Sequence, residues 1–201
     1  MPPEEKASAD VSRRDVIVGA AAFVPLAALT ATAQTAGSAL SAAQLRTLEA
    51  FVDRIIPKDE LGPGAAESGV AIYINRSLGD YLSGEKAAFV EGLEATDAYA
   101  RRAQGHAFVE LSADQQDAVL TAMDNGTAEG FANAKAFFGR VRRLTLEGMF
   151  GDPYYGGNKN FAGWDLIRYP GPRLAVGPED QKMTSLPKPL HQSAYGSNRG
   201  H

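Results

Sequence analysis

Apolar residues recur at three- and four-residue steps along the chain after residue 40, and this helical spacing restricts the fold more than any other feature. Ser41, followed three residues later by Gln44, has the spacing of a capping box, and Pro57 ends the run that it opens. The apolar face of that run consists of Leu45, Leu48, Val52, Ile55 and Ile56. No stretch shows sustained alternation of apolar and polar residues, so the sequence predicts helices and no strands.

The helical pattern separates into successive segments joined by short connections. A second capping-box pattern, Ser112 with Gln115, marks the start of one segment, and Gly105 and Gly126 are typical helix-ending residues. The predicted helices cover, to within a few residues, 41–56, 67–82, 84–104, 112–125 and 128–150. Short connections favour antiparallel neighbours, so we predict an all-α fold with about five helices in a compact bundle.

The character of the chain changes after Phe150. Residues 151–160 are mostly turn-forming and include two tyrosines, and further rings, glycines and prolines follow as far as Arg173. We predict an irregular C-terminal segment rich in glycine and aromatic residues, and an extended tail over residues 176–201. The helical domain is thereby predicted to span residues 34–175.

The N-terminus has the three parts of an export signal. Arg13 and Arg14 precede an alanine-rich apolar run from Val16 to Leu29, and Ala33 completes a small-residue cleavage site. The run is shorter than the ~20 apolar residues that a membrane span needs. We predict a twin-arginine signal over residues 1–33, recognised by the twin-arginine translocase, and a periplasmic location. An amphipathic helix, a cytosolic N-terminal extension and an uncleaved membrane anchor are the alternatives.

Composition excludes several kinds of chemistry. The chain has no cysteine, which rules out disulfides, iron–sulfur clusters, thiolate zinc sites and covalently attached haem. With a net charge of -4, the chain lacks the excess of positive charge that is typical of a nucleic-acid-binding protein. No glycine-rich nucleotide fingerprint is present, and His106 with Glu110 supplies at most two metal ligands. We therefore assign no catalytic, cofactor-binding or metal-binding residue to this chain.

Arg140, Arg142 and Arg143 form a basic cluster on the fifth predicted helix. A solvated helix face is the simpler interpretation, and a salt-bridged contact with a partner is the alternative.

Two blocks of sequence resemble the gluconate 2-dehydrogenase subunit 3 family. The first block consists of Phe51-Val52-Asp53-Arg54-Ile55-Ile56-Pro57, Gly62-Pro63-Gly64-Ala65, Gly69-Val70 and Ile74-Asn75. The second consists of Asp152-Pro153-Tyr154-Tyr155-Gly156-Gly157-Asn158, Gly163-Trp164, Ile167 and Tyr169-Pro170-Gly171-Pro172-Arg173. The resemblance covers about residues 41–175 and includes the preceding signal.

The resemblance implies a small subunit that holds no cofactor and has no catalytic residues of its own. In this family such a subunit accompanies a large FAD-bearing flavoprotein of the glucose–methanol–choline type, and a multihaem cytochrome c subunit often completes the complex. It also implies that the complex oxidises a sugar or sugar acid at the periplasmic face of the membrane. The small subunit is expected to escort and stabilise the large one during export.

The second block also supplies the candidate partner interface, because aromatic and arginine side chains are enriched at protein interfaces. The candidates are Tyr154, Tyr155, Phe161, Trp164, Arg168, Tyr169 and Arg173. The alternative is that these rings cover the helical core. Two other functions stay open from the residues alone: a stand-alone periplasmic enzyme that uses carboxylates, and a sugar-binding module.

Overall fold

The computed structural model describes residues 38–173, 175–178, 180–182 and 187–196. The predicted export signal, with Arg13, Arg14 and the cleavage site at Ala33, lies outside the described residues, as do parts of the predicted tail. The boundaries of the signal and of the tail therefore stay predictions.

The described residues form an all-α fold, as predicted. Their only other regular pairing is an isolated antiparallel bridge between Asp59 and Gly62. The α-helices are α1 (Ala42–Ile55), α2 (Val70–Gly79), α3 (Lys86–Gln104), α4 (Ala113–Asn125), α5 (Ala134–Phe150) and α6 (Ala162–Leu166). Short 3-10 turns cover Ser83–Glu85, Phe108–Glu110, Pro153–Tyr155 and Lys159–Phe161. No helix in this part of the chain has the length and apolar character that crossing a bilayer requires.

Both predicted capping boxes form. The Ser41 backbone N–H donates to Gln44 Oε1 at 2.9 Å, and the Gln44 backbone N–H donates to Ser41 Oγ at 3.3 Å. Ser112 and Gln115 make the same reciprocal pair at the start of α4, at 3.0 and 3.4 Å. Two otherwise unpaired backbone donors are satisfied at each helix start, which explains why the starts of α1 and α4 were predictable.

Two helix boundaries differ from the prediction, and one short helix was not predicted. Helix α5 begins at Ala134 rather than near residue 128, because Gly126 (φ 74°) and Gly130 (φ 71°) adopt left-handed conformations that interrupt a helix. Helix α2 ends at Gly79 rather than near residue 82. The short helix α6 was not predicted, because five residues are too few to show a helical period.

The core is centred on Phe51 of α1, which is fully buried. Its ring lies 6.0 Å from those of Phe108 and Phe138 and 6.2 Å from that of Phe137, measured between centroids. These partner rings come from the turn Phe108–Glu110 and from α5, and helix α1 as a whole packs against α2, α3, α4 and α5. The bundle therefore forms a packed core that can hold the C-terminal segment at one end of α5.

A charged pair fastens α1 to α4. Arg54 donates from Nε to Asp117 Oδ1 at 2.7 Å and from Nη2 to Asp117 Oδ2 at 2.8 Å. This side-chain bond holds the pKa of the Asp117 carboxyl below its usual value and raises the pKa of Arg54. The parallel geometry favours the pair, although the Asp117 side chain is 47% exposed.

Replacing Asp117 by asparagine is expected to lower the free energy of unfolding by less than about 1 kcal/mol, because solvent screens a pair that is this exposed. A carboxyl whose pKa is lowered by folding stabilises the protein above its unfolded pKa of about 3.9 and loses that contribution as the pH falls through the lowered value. Urea titrations of both proteins across that range test this. The difference between the two free energies of unfolding should narrow only as the pH falls through the pKa of Asp117. A difference that does not change with pH would contradict a lowered pKa for this carboxyl.

Candidate functional site

The aromatic segment (residues 151–173) folds back onto the end of α5, and Asn158 holds it there. The Asn158 side chain is fully buried. Its Nδ2 donates to the carbonyl oxygen of Gly151 at 2.8 Å, and its Oδ1 accepts from the backbone N–H of Gly163 at 2.8 Å. Asn158 is in the left-handed conformation (φ 47°), which asparagine adopts more readily than most residues. One buried amide thus links the end of α5 to α6.

Two glycines allow the aromatic segment to approach α5 closely. A Cβ atom on Gly157 would overlap the carbonyl oxygen of Gly148, and a Cβ atom on Gly163 would overlap that of Met149. Only glycine avoids these overlaps with backbone atoms. The contacts fix the position of the rings that surround the two glycines in sequence.

Trp164 points into this junction and is only 5% exposed. Its Nε1 donates to the carbonyl oxygen of Phe150 at 2.9 Å. Its ring lies 5.4 Å from that of Phe161 and 4.8 Å from that of Tyr169, between centroids. Trp164 therefore covers the helical core, which was the alternative to a direct role in partner binding. It packs on the end of α5 and supports the exposed residues around it.

Three tyrosines of this region expose about half of their surface or more, and we call Tyr154, Tyr155 and Tyr195 the tyrosine cluster. Their exposed fractions are 50%, 47% and 61%. The Tyr155 hydroxyl donates to that of Tyr195 at 2.9 Å, and the rings of Tyr154 and Tyr195 lie 4.8 Å apart. Because the rings brace one another, the cluster presents aromatic surface in a defined arrangement.

Tyr195 reaches the cluster through residues 187–196, which we call the strap. The strap crosses the aromatic segment and is bonded to it at several points. The backbone N–H of Leu190 donates to the carbonyl oxygen of Pro170 at 3.0 Å, and that of Ala194 donates to Asp152 Oδ2 at 2.8 Å. Between them, His191 Nε2 lies 2.6 Å from an oxygen of Asp165. The strap is therefore part of the same surface as the tyrosine cluster.

The other predicted interface residues lie around these features. Phe161 is half-buried, and its ring stacks on that of His191 at 5.1 Å. Tyr169 is 39% exposed. Arg168 is exposed and has a φ of 55°.

Arg173 is held by contacts within the chain. Its Nη1 donates to Asp180 at 2.9 Å, and its Nη2 donates to the carbonyl oxygen of Lys188 at 2.8 Å. The second bond ties Arg173 to the strap. Tyr154, Tyr155, Arg168 and Tyr169 are thus the predicted residues that offer exposed side chains.

A groove of about 720 Å³ runs beside the tyrosine cluster, between α2 and the turn Pro153–Tyr155. Ile72 and Tyr81 border it and are 49% and 61% exposed. These two residues and Tyr195 were not among the predicted interface residues. The i, i+4 pattern of α2 assigns Ile74 and Leu78 to the core and leaves Ile72 on the outer face, so the exposure of Ile72 could have been predicted. The sequence of the tail has no pattern that would have indicated the position of Tyr195.

The basic cluster on α5 makes contacts within the chain. Arg140 pairs with Glu85, and Arg143 lies 3.6 Å from Glu147 one helical turn away. Arg142 is exposed.

The hydroxyl of Tyr73 joins α2 to α5. It lies 2.9 Å from the hydroxyl of Tyr81 and donates to Glu147 at 3.2 Å. Burial, the bond to Tyr81 and the negative charge of Glu147 all raise the pKa of Tyr73. Tyr73 therefore stays protonated at physiological pH and acts as a structural donor.

His106 and Glu110 are the pair that the sequence spacing made a candidate for metal binding. His106 is exposed, and the carboxylate of its neighbour Glu110 accepts from the backbone N–H of Ala107 at 3.0 Å. No group of three or more histidine, aspartate or glutamate side chains in the described part of the chain is arranged to hold a metal ion.

The sequence model of the gluconate 2-dehydrogenase subunit 3 family matches residues 42–171. The chain belongs to this family. The match runs from the first residue of α1 to Gly171, so this subunit 3 protein has the bundle and nearly all of the aromatic segment inside the family region and the strap beyond it. Membership makes it an accessory subunit of a dehydrogenase complex. No curated protein and no solved structure matches the chain.

Proposed function

We propose that this chain escorts the FAD-bearing large subunit of a gluconate-type sugar or sugar-acid dehydrogenase through the twin-arginine pathway and stays bound to it in the periplasm. Arg13 and Arg14 provide the export signal for both chains. The flavin belongs to the large subunit of the glucose–methanol–choline type, and haem c belongs to a cytochrome subunit where the complex has one. This chain contributes no catalytic residue.

The tyrosine cluster is the observation that carries the proposal. Tyrosine is favoured at interface hot spots, because a rigid ring buries a large area and its hydroxyl still finds a partner. Here three half-exposed rings brace one another above a junction that is fixed by Asn158 and Trp164. A preorganised surface of this kind loses little conformational entropy when a partner binds.

The neighbouring groove extends the proposed interface. With Ile72 on α2 and Tyr81 just after the end of α2, it continues the exposed apolar surface of the tyrosine cluster. Arg76 and Lys159 also line it, together with Asp80. Apolar and charged residues together are the usual composition of a protein–protein interface.

The test is to purify the tagged full-length chain from native cells and to record the absorbance of what elutes. For the wild type we expect a large flavoprotein to co-purify from the periplasmic and membrane fractions. Replacing both Arg13 and Arg14 by lysine should leave the two chains bound together in the cytoplasm. Replacing both Tyr154 and Tyr155 by alanine should export this chain alone and leave the flavoprotein behind.

Val109→Ala is the matched control, since Val109 is a 39% exposed apolar residue on the turn after α3. It should co-purify the flavoprotein as the wild type does. A colourless single chain from wild-type cells would contradict the escort function. In that case a stand-alone enzyme or a sugar-binding module would be the better explanation.

A further inference from the structure

A pocket of about 360 Å³ lies between the strap and the aromatic segment, and Tyr155 separates it from the groove beside α2. The residues that matter for its chemistry are Asp152, Tyr155, Trp164, Tyr169, Ala194 and Tyr195. The strap supplies Ala194 and Tyr195, so the pocket is incomplete without it. Its volume is at the small end of the range for ligand sites, which suits a single side chain or a small molecule.

Two ring pairs in the wall of the pocket stand nearly perpendicular. Tyr155 and Tyr195 are 5.6 Å apart at 78°, and Trp164 and Tyr169 are 4.8 Å apart at 76°. The corner between two perpendicular rings is bordered by at least one ring face. Ring faces carry the negative part of the aromatic quadrupole, so they attract cations.

The pocket also contains a negative charge. Among its described lining residues, Asp152 is the only one with a charged side chain. Its two oxygens accept from the backbone N–H groups of Tyr154 (2.9 Å) and Ala194 (2.8 Å), and neither bond brings a compensating positive charge.

The electrostatics at Tyr155 agree with this polarity. The bond to Tyr195 raises the pKa of Tyr155 most, and the negative charge of Asp152 acts in the same direction. This corner of the molecule therefore disfavours an additional negative charge.

We infer that this pocket binds an organic cation and that an arginine side chain of the dehydrogenase large subunit occupies it in the complex. Arginine fits because its planar guanidinium stacks on aromatic rings while it pairs with a carboxylate. The identity of the occupant rests on the proposed function, whereas the cation site itself rests on the rings and on Asp152. The strap acts as a positioning element, because Tyr195 forms one wall of the site.

The experiment on the isolated full-length chain uses two probes of the same shape, ethylguanidinium and the neutral ethylurea. Trp164, the only tryptophan in the sequence, lines the pocket and reports binding by its fluorescence. At constant ionic strength we expect a saturable change with ethylguanidinium and roughly three- to thirtyfold weaker binding of ethylurea. Tyr195→Ala should weaken ethylguanidinium binding by a similar factor, and Tyr195→Phe should restore it.

Tyr81→Ala is the control for the titration, because Tyr81 is an exposed tyrosine that does not line this pocket. Equal affinity for both probes, or unchanged binding by Tyr195→Ala, would overturn the cation site.

A second readout is capture of the flavoprotein by wild-type and Tyr195→Ala chains. Full capture by both would refute the arginine occupant and leave the proposed function intact. If the wild type captures no flavoprotein, the proposed function and the assigned occupant both fail, while the titration still decides whether the cation site exists.

Discussion

Replacing Asn158 by alanine is expected to lower the free energy of unfolding by about 2–5 kcal/mol and to loosen the aromatic segment from α5. The substitution removes both side-chain bonds at a buried position. The carbonyl oxygen of Gly151 and the backbone N–H of Gly163 then lose their partners, and an unpaired buried polar group costs about 1–3 kcal/mol. Alanine must also adopt the left-handed backbone (φ 47°) that asparagine tolerates better.

Asn160→Ala is the matched control for that prediction. Asn160 is also left-handed (φ 57°), but it is exposed. Its replacement should therefore cost only the backbone strain, about 1 kcal/mol. Urea titrations followed by circular dichroism measure both values. Similar losses from the two substitutions would show that backbone strain, and not the buried amide, holds the segment.

The Asn158→Ala substitution should affect the aromatic segment and leave the helical bundle folded. The buried residues of the core cluster around Phe51 all precede the aromatic segment, so the Asn158→Ala chain should keep its helical signal in the absence of urea. Trp164 should then become more accessible to a fluorescence quencher, because its position depends on the junction with Phe150. Capture of the flavoprotein should fall along with that change if the tyrosine cluster is the docking surface.

Local signals made the bundle predictable from sequence. The capping boxes at Ser41 and Ser112 act over three residues, and the apolar spacing of α1 places Leu48 and Val52 correctly in the core. The predicted start of α5 was wrong, because only the backbone conformation reveals that Gly130 interrupts the helix. Composition alone does not distinguish a glycine inside a helix from one that ends it.

The candidate site was predictable only in outline. The residue types of an interface were predictable, and four of the seven predicted side chains, those of Tyr154, Tyr155, Arg168 and Tyr169, are exposed. The inward orientation of Trp164 depends on a carbonyl group fourteen positions away, and the place of Tyr195 depends on a contact forty positions away. Neither contact leaves a pattern in the local sequence, so neither could be predicted without the three-dimensional structure.

Two glycine substitutions with opposite expected effects on the free energy of unfolding test how closely the aromatic segment packs on α5. Gly163→Ala is expected to lower the free energy of unfolding by about 2–4 kcal/mol, because its Cβ atom would overlap the carbonyl oxygen of Met149, which cannot move without distorting α5. Gly139→Ala, inside α5 and with open space around the new Cβ atom, should raise it by about 0.5–1 kcal/mol.

The two variants also differ in what they should do to partner binding. Gly139→Ala leaves the junction unchanged, so it should capture the flavoprotein as the wild type does. Gly163→Ala displaces α6, and with it Trp164 and the surface that carries the tyrosine cluster, so capture should fall while the helical signal of the bundle persists. Full capture by Gly163→Ala, despite its lower stability, would show that the large subunit docks elsewhere on the bundle. The same result together with lost ethylguanidinium binding would show that capture does not need the pocket, which Trp164 lines.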